Sequence, residues 1–349
     1  MNKYMKLAIK LAEKGRGKVE PNPLVGAVIV KNGKIIGKGY HKKFGGNHAE
    51  VNAIENAGSK AKDSEMFVTL EPCNHQGKTG PCTKAIIKAR IKKVHIGILD
   101  PNKKSKSGIK ELTKHKIEII VGEGKKEIKK QLNCYITNIR LPKRPHITVK
   151  IALTTQGIIS FGDGKSKKIS GTASFMFTQN LRRNNDCLLI GVNTVLKDNP
   201  KLTVRKGGKT PIRAILDSNA KTPINSQMFS EKGVTIIFCS ANAPLKRVNA
   251  LSKKSIVVIV NKSKSGVDLK EVFEFLTLSG INNVLVEGGN KLNSSLLEQG
   301  FFDKLLLIVA DKKINNGLKA FNLKKKRKVN IIRTKKIGKD LLIETERII

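Results

Sequence analysis

The sequence predicts a two-domain α/β protein, and three observations lead to this prediction. The chain has 349 residues, more than one ordinary domain, and its 39% hydrophobic content is enough for a core in each of two. Strand-sized apolar segments alternate with segments of helical periodicity, which favours mostly parallel sheets. A basic stretch bracketed by prolines, residues 141–145, interrupts this alternation. We therefore expect one domain over residues 1–143 and a second over residues 144–349.

The elements of the first half follow from local patterns. Apolar residues between Met5 and Ala12 have the spacing of an amphipathic helix. Strands over residues 24–30 and 34–39 flank Asn32-Gly33, a strong type I′ hairpin signal. Further expected elements are a helix from residue 48, a strand over 66–70, a helix after residue 82, strands over 94–98 and 117–121, and a helix over 125–140.

The alternation restarts in the second half, without internal repeats. Predicted strands cover residues 146–153, 187–190, 212–216, 234–238, 256–260, 283–286 and 304–309; predicted helices cover 172–183, 269–278 and the segment after Gly288-Gly289. The longest apolar runs are too short to span a membrane, and the N-terminus lacks the hydrophobic block of a signal peptide. We therefore expect a cytoplasmic protein with no membrane partner.

The charge is strongly positive and has two interpretations. There are 68 Lys and Arg against 27 Asp and Glu, a net charge of +41 that would attract a polyanion such as nucleic acid. The lysines are, however, spread along both halves, as in a solvated surface under an AT-rich coding bias. Aromatic residues make up 4% of the chain and Trp is absent, so there are few platforms for base stacking. We favour the solvated surface and expect no nucleic-acid partner.

The five cysteines are too few and too scattered for a disulfide framework, which indicates metal or free-thiol use. Cys134, Cys187 and Cys239 are interpreted as core-filling residues. Cys73 and Cys82 each follow a proline and belong to a larger pattern.

That pattern is a split metal signature, His48-Ala49-Glu50 followed by Pro72-Cys73 and Pro81-Cys82. One imidazole and two thiolates leave the fourth tetrahedral position open for water, as in catalytic zinc sites. Zinc lowers the pKa of such a water, and Glu50 is placed to relay a proton to a departing amine. A single His or Cys is more often an ordinary core or surface residue. The joint pattern instead predicts zinc-dependent hydrolytic deamination.

The surroundings of the signature narrow this prediction. Eight residues separate Cys73 from Cys82, in place of the two found in most cytidine, guanine and tRNA deaminases. This loop, the segment around Asn22, Gly39-Tyr40-His41 and Asp100-Pro101-Asn102 together resemble the deaminase half of the bacterial bifunctional riboflavin-biosynthesis deaminase/reductase family. The resemblance implies a cytidine-deaminase-like α/β/α domain. It also implies that a pyrimidine ribotide pocket is lined by Asn22, His41, His75 and Lys78.

The second half resembles the reductase half of the same family, through motifs in the same order. They lie at residues 150–154, 166–170, 181–182, 191–195, 198–205 and 286–289. The resemblance implies a dihydrofolate-reductase-like α/β domain that uses NADPH. Its implied catalytic residues are Lys150, Asp198 and Glu287; its implied substrate ligands are Ser166, Arg182, Leu202 and Arg205; and its implied cofactor ligands are Ala152, Lys168, Thr194, Asp198, Gly288 and Gly289.

Three hypotheses result. The first is a bifunctional enzyme of riboflavin biosynthesis that deaminates a small-molecule pyrimidine ribotide with zinc and then reduces its ribosyl group with NADPH. The second is a nucleic-acid deaminase with a basic binding module. The third is a deaminase fused to an inactive reductase-like domain, because residues 154–158, Lys168 and residues 310–317 depart from the family pattern. We also expect a homo-oligomer.

Overall fold

The computed structural model describes residues 1–76, 80–102, 107–140, 144–161, 169–205, 207, 210–264, 266–314, 317–324 and 328–348. The chain divides into two compact units, Met1–Leu141 and Pro142–Ile349. Each unit has a hydrophobic core of its own, as expected of separate domains. Within the described ranges, every helix is too short or too polar to cross a bilayer.

The first unit is a sheet covered by helices. Its helices are α1 (Lys3–Ala12), α2 (Ala49–Ala57), α3 (Cys82–Lys88), α4 (Gly108–Lys114), α5 (Lys125–Gln131) and α6 (Asn133–Arg140), and its strands are β1 (Gly26–Lys31), β2 (Lys34–Tyr40), β3 (Glu65–Leu70), β4 (Lys93–Ile98) and β5 (Glu118–Val121). These strands lie in the order β2-β1-β3-β4-β5. β1 is antiparallel to both neighbours, whereas β3, β4 and β5 run parallel. The carboxyl end of β3 leads directly to Cys73.

The β1–β2 hairpin positions the helix that carries half of the metal signature. Asn32 and Gly33 have φ angles of 50° and 73°, the left-handed values that a type I′ turn requires. Helix α2 then packs closely against β2, because Gly39 has no side chain. A Cβ atom at Gly39 would lie 2.2 Å from the carbonyl oxygen of Ala49. This close approach holds the start of α2 against the sheet.

The helices of the first unit differ from the predicted ones in two places. The helix expected over residues 125–140 is interrupted at Leu132, whose φ of −92° and ψ of 11° end α5. The interruption is one residue long, since Leu132 N–H donates to Ile128 and Ile136 N–H donates to Leu132. Helix α4 was not predicted. Leu112 is its one buried residue besides Gly108, so its apolar periodicity is too weak to recognise.

The second unit contains a larger sheet. Its helices are α7 (Thr172–Arg183), α8 (Val192–Asp198), α9 (Leu245–Ser252), α10 (Leu269–Leu278) and α11 (Asn290–Gln299), and its strands are β6 (His146–Thr154), β7 (Ile158–Phe161), β8 (Cys187–Gly191), β9 (Ile212–Leu216), β10 (Thr235–Ser240), β11 (Ile256–Val260), β12 (Lys262–Ser263), β13 (Gly266–Val267), β14 (Asn283–Val286), β15 (Lys304–Ala310), β16 (Gly317–Lys319), β17 (Val329–Ile337) and β18 (Asp340–Arg347). The main sheet has the order β11-β10-β9-β8-β14-β6-β15-β18-β17, and β12–β13 and β7–β16 form small separate pairs.

The strands from β11 to β15 in this sheet are parallel, so their carboxyl ends lie along one edge. Ligands of open α/β sheets bind at this edge. The β17–β18 hairpin adds two antiparallel strands that were not predicted. β17 is mostly exposed, so its sequence lacks the apolar alternation that marks a strand.

Candidate active sites

The zinc ligands predicted for the first unit lie together in the structure. His48, Cys73 and Cys82 place their ligand atoms within 4.8 Å of one another. Nδ1 of His48 is 3.1 Å from Sγ of Cys82 and 3.5 Å from Sγ of Cys73, and the two sulfur atoms are 3.5 Å apart. Ligands of a tetrahedral zinc, bound at about 2.0–2.3 Å, lie roughly 3.5–3.8 Å from one another. Two of the three distances match this range and the third, between His48 and Cys82, is shorter, so the cluster fits zinc in donor chemistry and needs only a small expansion in size.

Local structure explains why these ligands converge. His48 is the residue before α2, Cys82 is the first residue of α3, and Cys73 lies in the loop after β3. The N–H of Cys82 points at Sγ of Cys73 from 3.4 Å. The hydrogen bond with the Cys82 side chain, followed by those from His48 and from the Cys82 N–H, lowers the pKa of Cys73 to about 4, against the effect of burial. The lowered pKa favours the thiolate of Cys73, the form that binds metal.

Glu50 is buried beside the ligands, with 4% of its surface exposed. It lies in the first turn of α2, two residues after His48. Burial raises the pKa of Glu50 to about 7, although the nearby His48 opposes this shift. A carboxyl group with such a pKa can accept and return a proton near neutrality, as a general acid and base must.

His41 and Asn22, two of the predicted pocket residues, are in contact next to the cluster. Nδ1 of His41 lies 3.0 Å from the carbonyl oxygen of Asn47, so it carries the proton and donates. Nε2 then accepts from the side-chain amide of Asn22 at 3.3 Å. Burial lowers the pKa of His41, which favours this neutral ring. The ring meets His48 edge-on, with centroids 5.3 Å apart. Asn22 and His41 therefore lie at the border of the metal site.

The other two predicted pocket residues belong to the loop between the cysteines. His75 is exposed there. Lys78 lies outside the described residues. The ligand roles predicted for both stay predictions.

Two residues that support the cluster were not assigned a role from the sequence. The carboxylate of Glu71 is buried and accepts N–H bonds from Asp100 at 3.2 Å and from Ile109 at 3.4 Å. Thr83 donates its N–H to the carbonyl of Cys73 at 3.2 Å and its hydroxyl to Asn74 at 2.7 Å. Both residues thus hold the Cys73 loop in place. One sequence feature could have predicted the role of Glu71: it is a charged residue directly after an apolar strand.

In the second unit, three of the predicted residues form a mostly buried charge cluster. The guanidinium of Arg182 binds Glu287 at two points, Nε to Oε1 at 2.7 Å and Nη2 to Oε2 at 3.0 Å. Arg182 also donates to the carbonyl of Thr203 at 3.2 Å. Nζ of Lys150 lies 3.8 Å from Oε2 of Glu287, the oxygen that also accepts from Nη2 of Arg182. Helix α7, strand β6 and the loop after β14 each supply one member.

The two cations determine the state of the carboxylate. Burial alone would raise the pKa of Glu287, but Lys150 and Arg182 outweigh it and hold the pKa below its ordinary value. Burial lowers the pKa of Lys150, while Glu287 opposes that shift. The cluster therefore combines a fixed carboxylate with an ammonium group that gives up its proton more readily than a surface lysine.

The remaining residues predicted for the catalytic and substrate sites are more dispersed. Asp198 is exposed at the end of α8, and within the described part of the chain the charge cluster forms without it. Leu202 is buried in an apolar cluster with φ of 54°. Arg205 is exposed, its guanidinium lies 5.2 Å from the centroid of the Phe175 ring, and its N–H donates to Gln179. Ser166 lies outside the described residues. The predicted roles of these four residues remain predictions.

A cavity of about 460 Å³ lies at the carboxyl ends of β8, β9 and β14. Thr194 and Gly289, two predicted cofactor residues, are in its wall. Gly289 precedes α11, and among the described residues no side chain caps this helix, so its first N–H groups remain available. Such a helix start in a cavity of this size fits the pyrophosphate of a dinucleotide.

The other predicted cofactor residues are placed as follows. Gly288 adjoins the cavity wall, where a Cβ atom would lie 2.8 Å from Oδ1 of Asn293. Ala152 lies on β6 and packs against Leu306, Ile308 and Leu342. Lys168 is outside the described residues.

Comparison with known proteins gives matches to both units. The cytidine and deoxycytidylate deaminase zinc-binding region matches residues 1–98, and the RibD C-terminal domain matches residues 145–343. The riboflavin biosynthesis protein RibD of Aquifex aeolicus is 40% identical over 99% of this chain and 98% of its own length. RibD of Actinobacillus pleuropneumoniae is 35% identical over 98% of this chain and 94% of its own length. The chain belongs to the RibD family.

Solved RibD structures have the same fold over nearly the whole chain. A diaminohydroxyphosphoribosylaminopyrimidine deaminase/5-amino-6-(5-phosphoribosylamino)uracil reductase from Thermotoga maritima is 36% identical, with a TM-score of 0.87 and coverage of 99% of this chain and 98% of that one. RibD from Acinetobacter baumannii is 27% identical, with a TM-score of 0.86 and the same coverage. The predicted fold class is thereby confirmed.

Membership of the RibD family also confirms the predicted activity. The chain is a bifunctional enzyme of riboflavin biosynthesis, in which a zinc-dependent deaminase is joined to an NADPH-dependent reductase. This supports the first of the three hypotheses over a nucleic-acid deaminase. Zinc and NADPH are its cofactors, as predicted.

Proposed function

We propose that the first unit hydrolyses the 2-amino group of 2,5-diamino-6-(ribosylamino)-4(3H)-pyrimidinone 5′-phosphate and that the second unit then reduces the ribosyl group to ribityl. The observation that carries the proposal is the convergence of His48, Cys73 and Cys82 within 4.8 Å, with Glu50 buried beside them. The name of the Thermotoga maritima relative, which states these two reactions, supports the same substrate order.

In the deaminase site, we assign the metal to His48, Cys73 and Cys82. A zinc ion held by these residues would supply an activated water. The carboxylate of Glu50 takes a proton from the attacking water. It then delivers this proton to the amino group, which leaves as ammonia. The neutral ring of His41 and the amide of Asn22 border the pyrimidine, and their mutual hydrogen bond orients both groups. Burial keeps bulk water away from Glu50, so its proton goes to the substrate.

In the reductase site, we assign the substrate side to the Lys150–Glu287–Arg182 cluster. Reduction to ribityl adds a hydride, which bound NADPH would supply, to the sugar carbon that carries the amino nitrogen; the bond from that carbon to the ring oxygen breaks, and this oxygen must receive a proton. We assign this proton transfer to Nζ of Lys150, because burial lowers the pKa of its ammonium group and makes its proton easier to remove. Glu287 holds Lys150 in position and accepts hydrogen bonds from ribose hydroxyl groups. Arg182 fixes the carboxylate of Glu287 through its two-point contact.

The charge and composition of the chain also bear on the molecules that it binds. We infer that the substrate is the free ribotide and not a nucleic acid, despite the charge of +41. The chain has no Trp and few other aromatic residues, so it offers few surfaces on which nucleic-acid bases could stack. We also propose that the protein is a homo-oligomer and that it lies in the cytoplasm. Light scattering tests the oligomeric state, and a monomeric mass would contradict it. Cell fractionation tests the location.

One experiment separates the main proposal from its competitors. Purified protein is mixed with the ribotide and NADPH, and both ammonia release and nicotinamide absorbance are followed. We expect ammonia release first and NADPH consumption in step with the deaminated product. Deaminated product that accumulates with no NADPH consumption would instead support an inactive second unit. Ammonia release from tRNA or single-stranded DNA alone would overturn the substrate assignment.

A further inference from the structure

Two segments that depart from the family pattern, residues 154–158 and the described part of residues 310–317, lie next to each other in the second unit. Strand β6 ends at Thr154 and the parallel strand β15 ends at Ala310, and these two residues are paired in register. The chain therefore leaves both strands at the carboxyl edge of the sheet, where the reductase centre lies.

The first segment is a tight turn. The hydroxyl oxygen of the buried Thr154 accepts from the N–H groups of Gln156 and Ile158, both at 3.2 Å. The N–H of Gly157 donates to the carbonyl of Thr154 at 2.9 Å, and Gly157 has a φ of 78°, which glycine adopts without strain. These bonds fix the backbone from which the side chain of Gln156 extends.

The side chain of Gln156 reaches the second segment. Its Oε1 accepts from the backbone N–H of Ile314 at 2.7 Å. Only 7% of Ile314 is exposed, so water would replace this bond poorly if it were lost. Gln156 itself lies at the surface. An exposed side chain thus fixes the position of a buried residue.

Ile314 packs beneath the segment that leads into α7. Its apolar cluster consists of Ile158, Ile169, Ala310 and Ile314, with Phe161 packed against them. Ile169 is 6% exposed and belongs to the motif of residues 166–170, which by resemblance supplies the substrate ligand Ser166. Ser166 lies outside the described residues. Helix α7, which carries Arg182 of the charge cluster, begins three residues after Ile169. Ile314 therefore supports the connection between the substrate motif and the charge cluster.

We propose that Gln156 is a positioning residue of the reductase, because its hydrogen bond holds Ile314 against Ile169 and thereby fixes the substrate segment before α7. This inference rests on the proposed reductase function and deepens it. The two departures from the family pattern form one support, in which the amide at position 156 matches the backbone at position 314. They leave the substrate segment supported, contrary to the hypothesis of an inactive second unit.

The kinetics of reduction test the proposal. The unmodified chain is compared with Gln156→Met and Gln156→Glu, using the deaminated ribotide and NADPH. Methionine has a similar length but lacks the amide oxygen, whereas glutamate keeps an acceptor at Oε1. We expect Gln156→Met to raise the KM for the ribotide about three- to tenfold, the effect of one lost hydrogen bond, with kcat nearly unchanged. Gln156→Glu should restore the KM, and ammonia release should be the same in all three proteins.

Limited proteolysis gives a readout that does not depend on turnover. Lys312 and Lys313 are exposed directly before Ile314. Trypsin should cleave after them faster in Gln156→Met than in the unmodified chain or in Gln156→Glu, because the lost bond frees this segment. Gln299→Met is the matched control, since Gln299 is an exposed glutamine at the end of α11, and it should change neither the KM nor the cleavage rate.

Ile314→Val tests the same support without altering the turn, and it should raise the same KM. The proposal is overturned if Gln156→Met keeps the KM and the cleavage rate of the unmodified chain, if kcat falls at constant KM, or if Gln156→Glu shows the same defect as Gln156→Met. Failure of the unmodified chain to consume NADPH is a different result, because it contradicts the reductase function itself.

Discussion

The two reactive centres contain buried glutamates with opposite pKa shifts. Burial dominates at Glu50 and raises its pKa to about 7, whereas Lys150 and Arg182 overcome burial at Glu287 and lower its pKa. Glu50 can therefore carry a proton, while Glu287 remains an anion that holds other groups. The comparison shows that neighbouring charges, rather than burial alone, determine what a buried carboxyl group does.

The centres also differ in how they are assembled. The first is built within residues 48–82, at the starts of two helices and the loop after one strand. The second requires a strand, a helix and a loop that only the sheet order β8-β14-β6 brings together. The first centre obtains its reactivity from a metal, and the second from its own charges and a cofactor. The two should therefore fail independently.

Removal of zinc is expected to produce the largest difference between the two centres, measured as ammonia release against NADPH consumption. A strong chelator should reduce ammonia release to background, because His48, Cys73 and Cys82 have no other source of an activated water. NADPH binding, and NADPH consumption with the deaminated substrate, should persist. Metal analysis and the two assays on one sample check this. A parallel loss of NADPH binding would show that the two centres are not independent.

Substitution of Glu50, the proton carrier, is expected to have the second largest effect. Glu50→Gln should lower ammonia release about 100- to 10,000-fold, the range for loss of a general acid and base, with zinc content and NADPH binding unchanged. The control is Glu127→Gln, since Glu127 is exposed on α5. Turnover that survives in Glu50→Gln would contradict the assigned proton relay.

Glu287→Gln should weaken the second centre alone. The change leaves Lys150 and Arg182 without their shared counter-charge, and breaking a buried ion pair costs about 3–5 kcal/mol. NADPH-dependent reduction and the unfolding free energy of the second unit should both fall, while ammonia release stays. Denaturant titrations with NADPH binding as the signal measure the stability loss. A normal rate of reduction in this variant would show that Glu287 has no role in the reaction.

How much of each centre the sequence predicts follows from this difference in assembly. His48, Glu50, Cys73 and Cys82 were predicted individually because zinc chemistry requires their types and spacing. The pairing of Arg182 with Glu287 was not predicted, since nothing in the local sequence reveals that the sheet order juxtaposes them; Arg182 was expected only to contact substrate. The role of Glu71 was missed for the same reason, because its carboxylate accepts from the N–H groups of Asp100 and Ile109, which approach it only in the folded chain.

A smaller effect concerns pH. Because the pKa of Glu287 is below its ordinary value of 4.5, its charge stabilises the fold above that pH, and this contribution is lost as pH falls through the lowered pKa. The unfolding free energy of the unmodified second unit should therefore fall more steeply below pH 4.5 than that of Glu287→Gln. Denaturant titrations of both proteins over this range measure the difference. Parallel curves would show that Lys150 and Arg182 do not hold the carboxylate charged.

The smallest expected effect is that of Arg205→Ala, and it sharpens the substrate side of the second centre. The contact with Phe175 is worth about 0.5–1 kcal/mol, and its loss alone should leave the kinetics nearly unchanged. If Arg205 also binds the substrate phosphate, the KM for reduction should rise about tenfold at constant kcat, because a charged contact present throughout the reaction is lost. Arg183→Ala is the matched control, since Arg183 is an arginine of α7 that binds the Gly207 carbonyl and Asn180. Equal KM values for the two variants would show that the phosphate is held elsewhere, and the exposed Arg205 would then only cover Phe175.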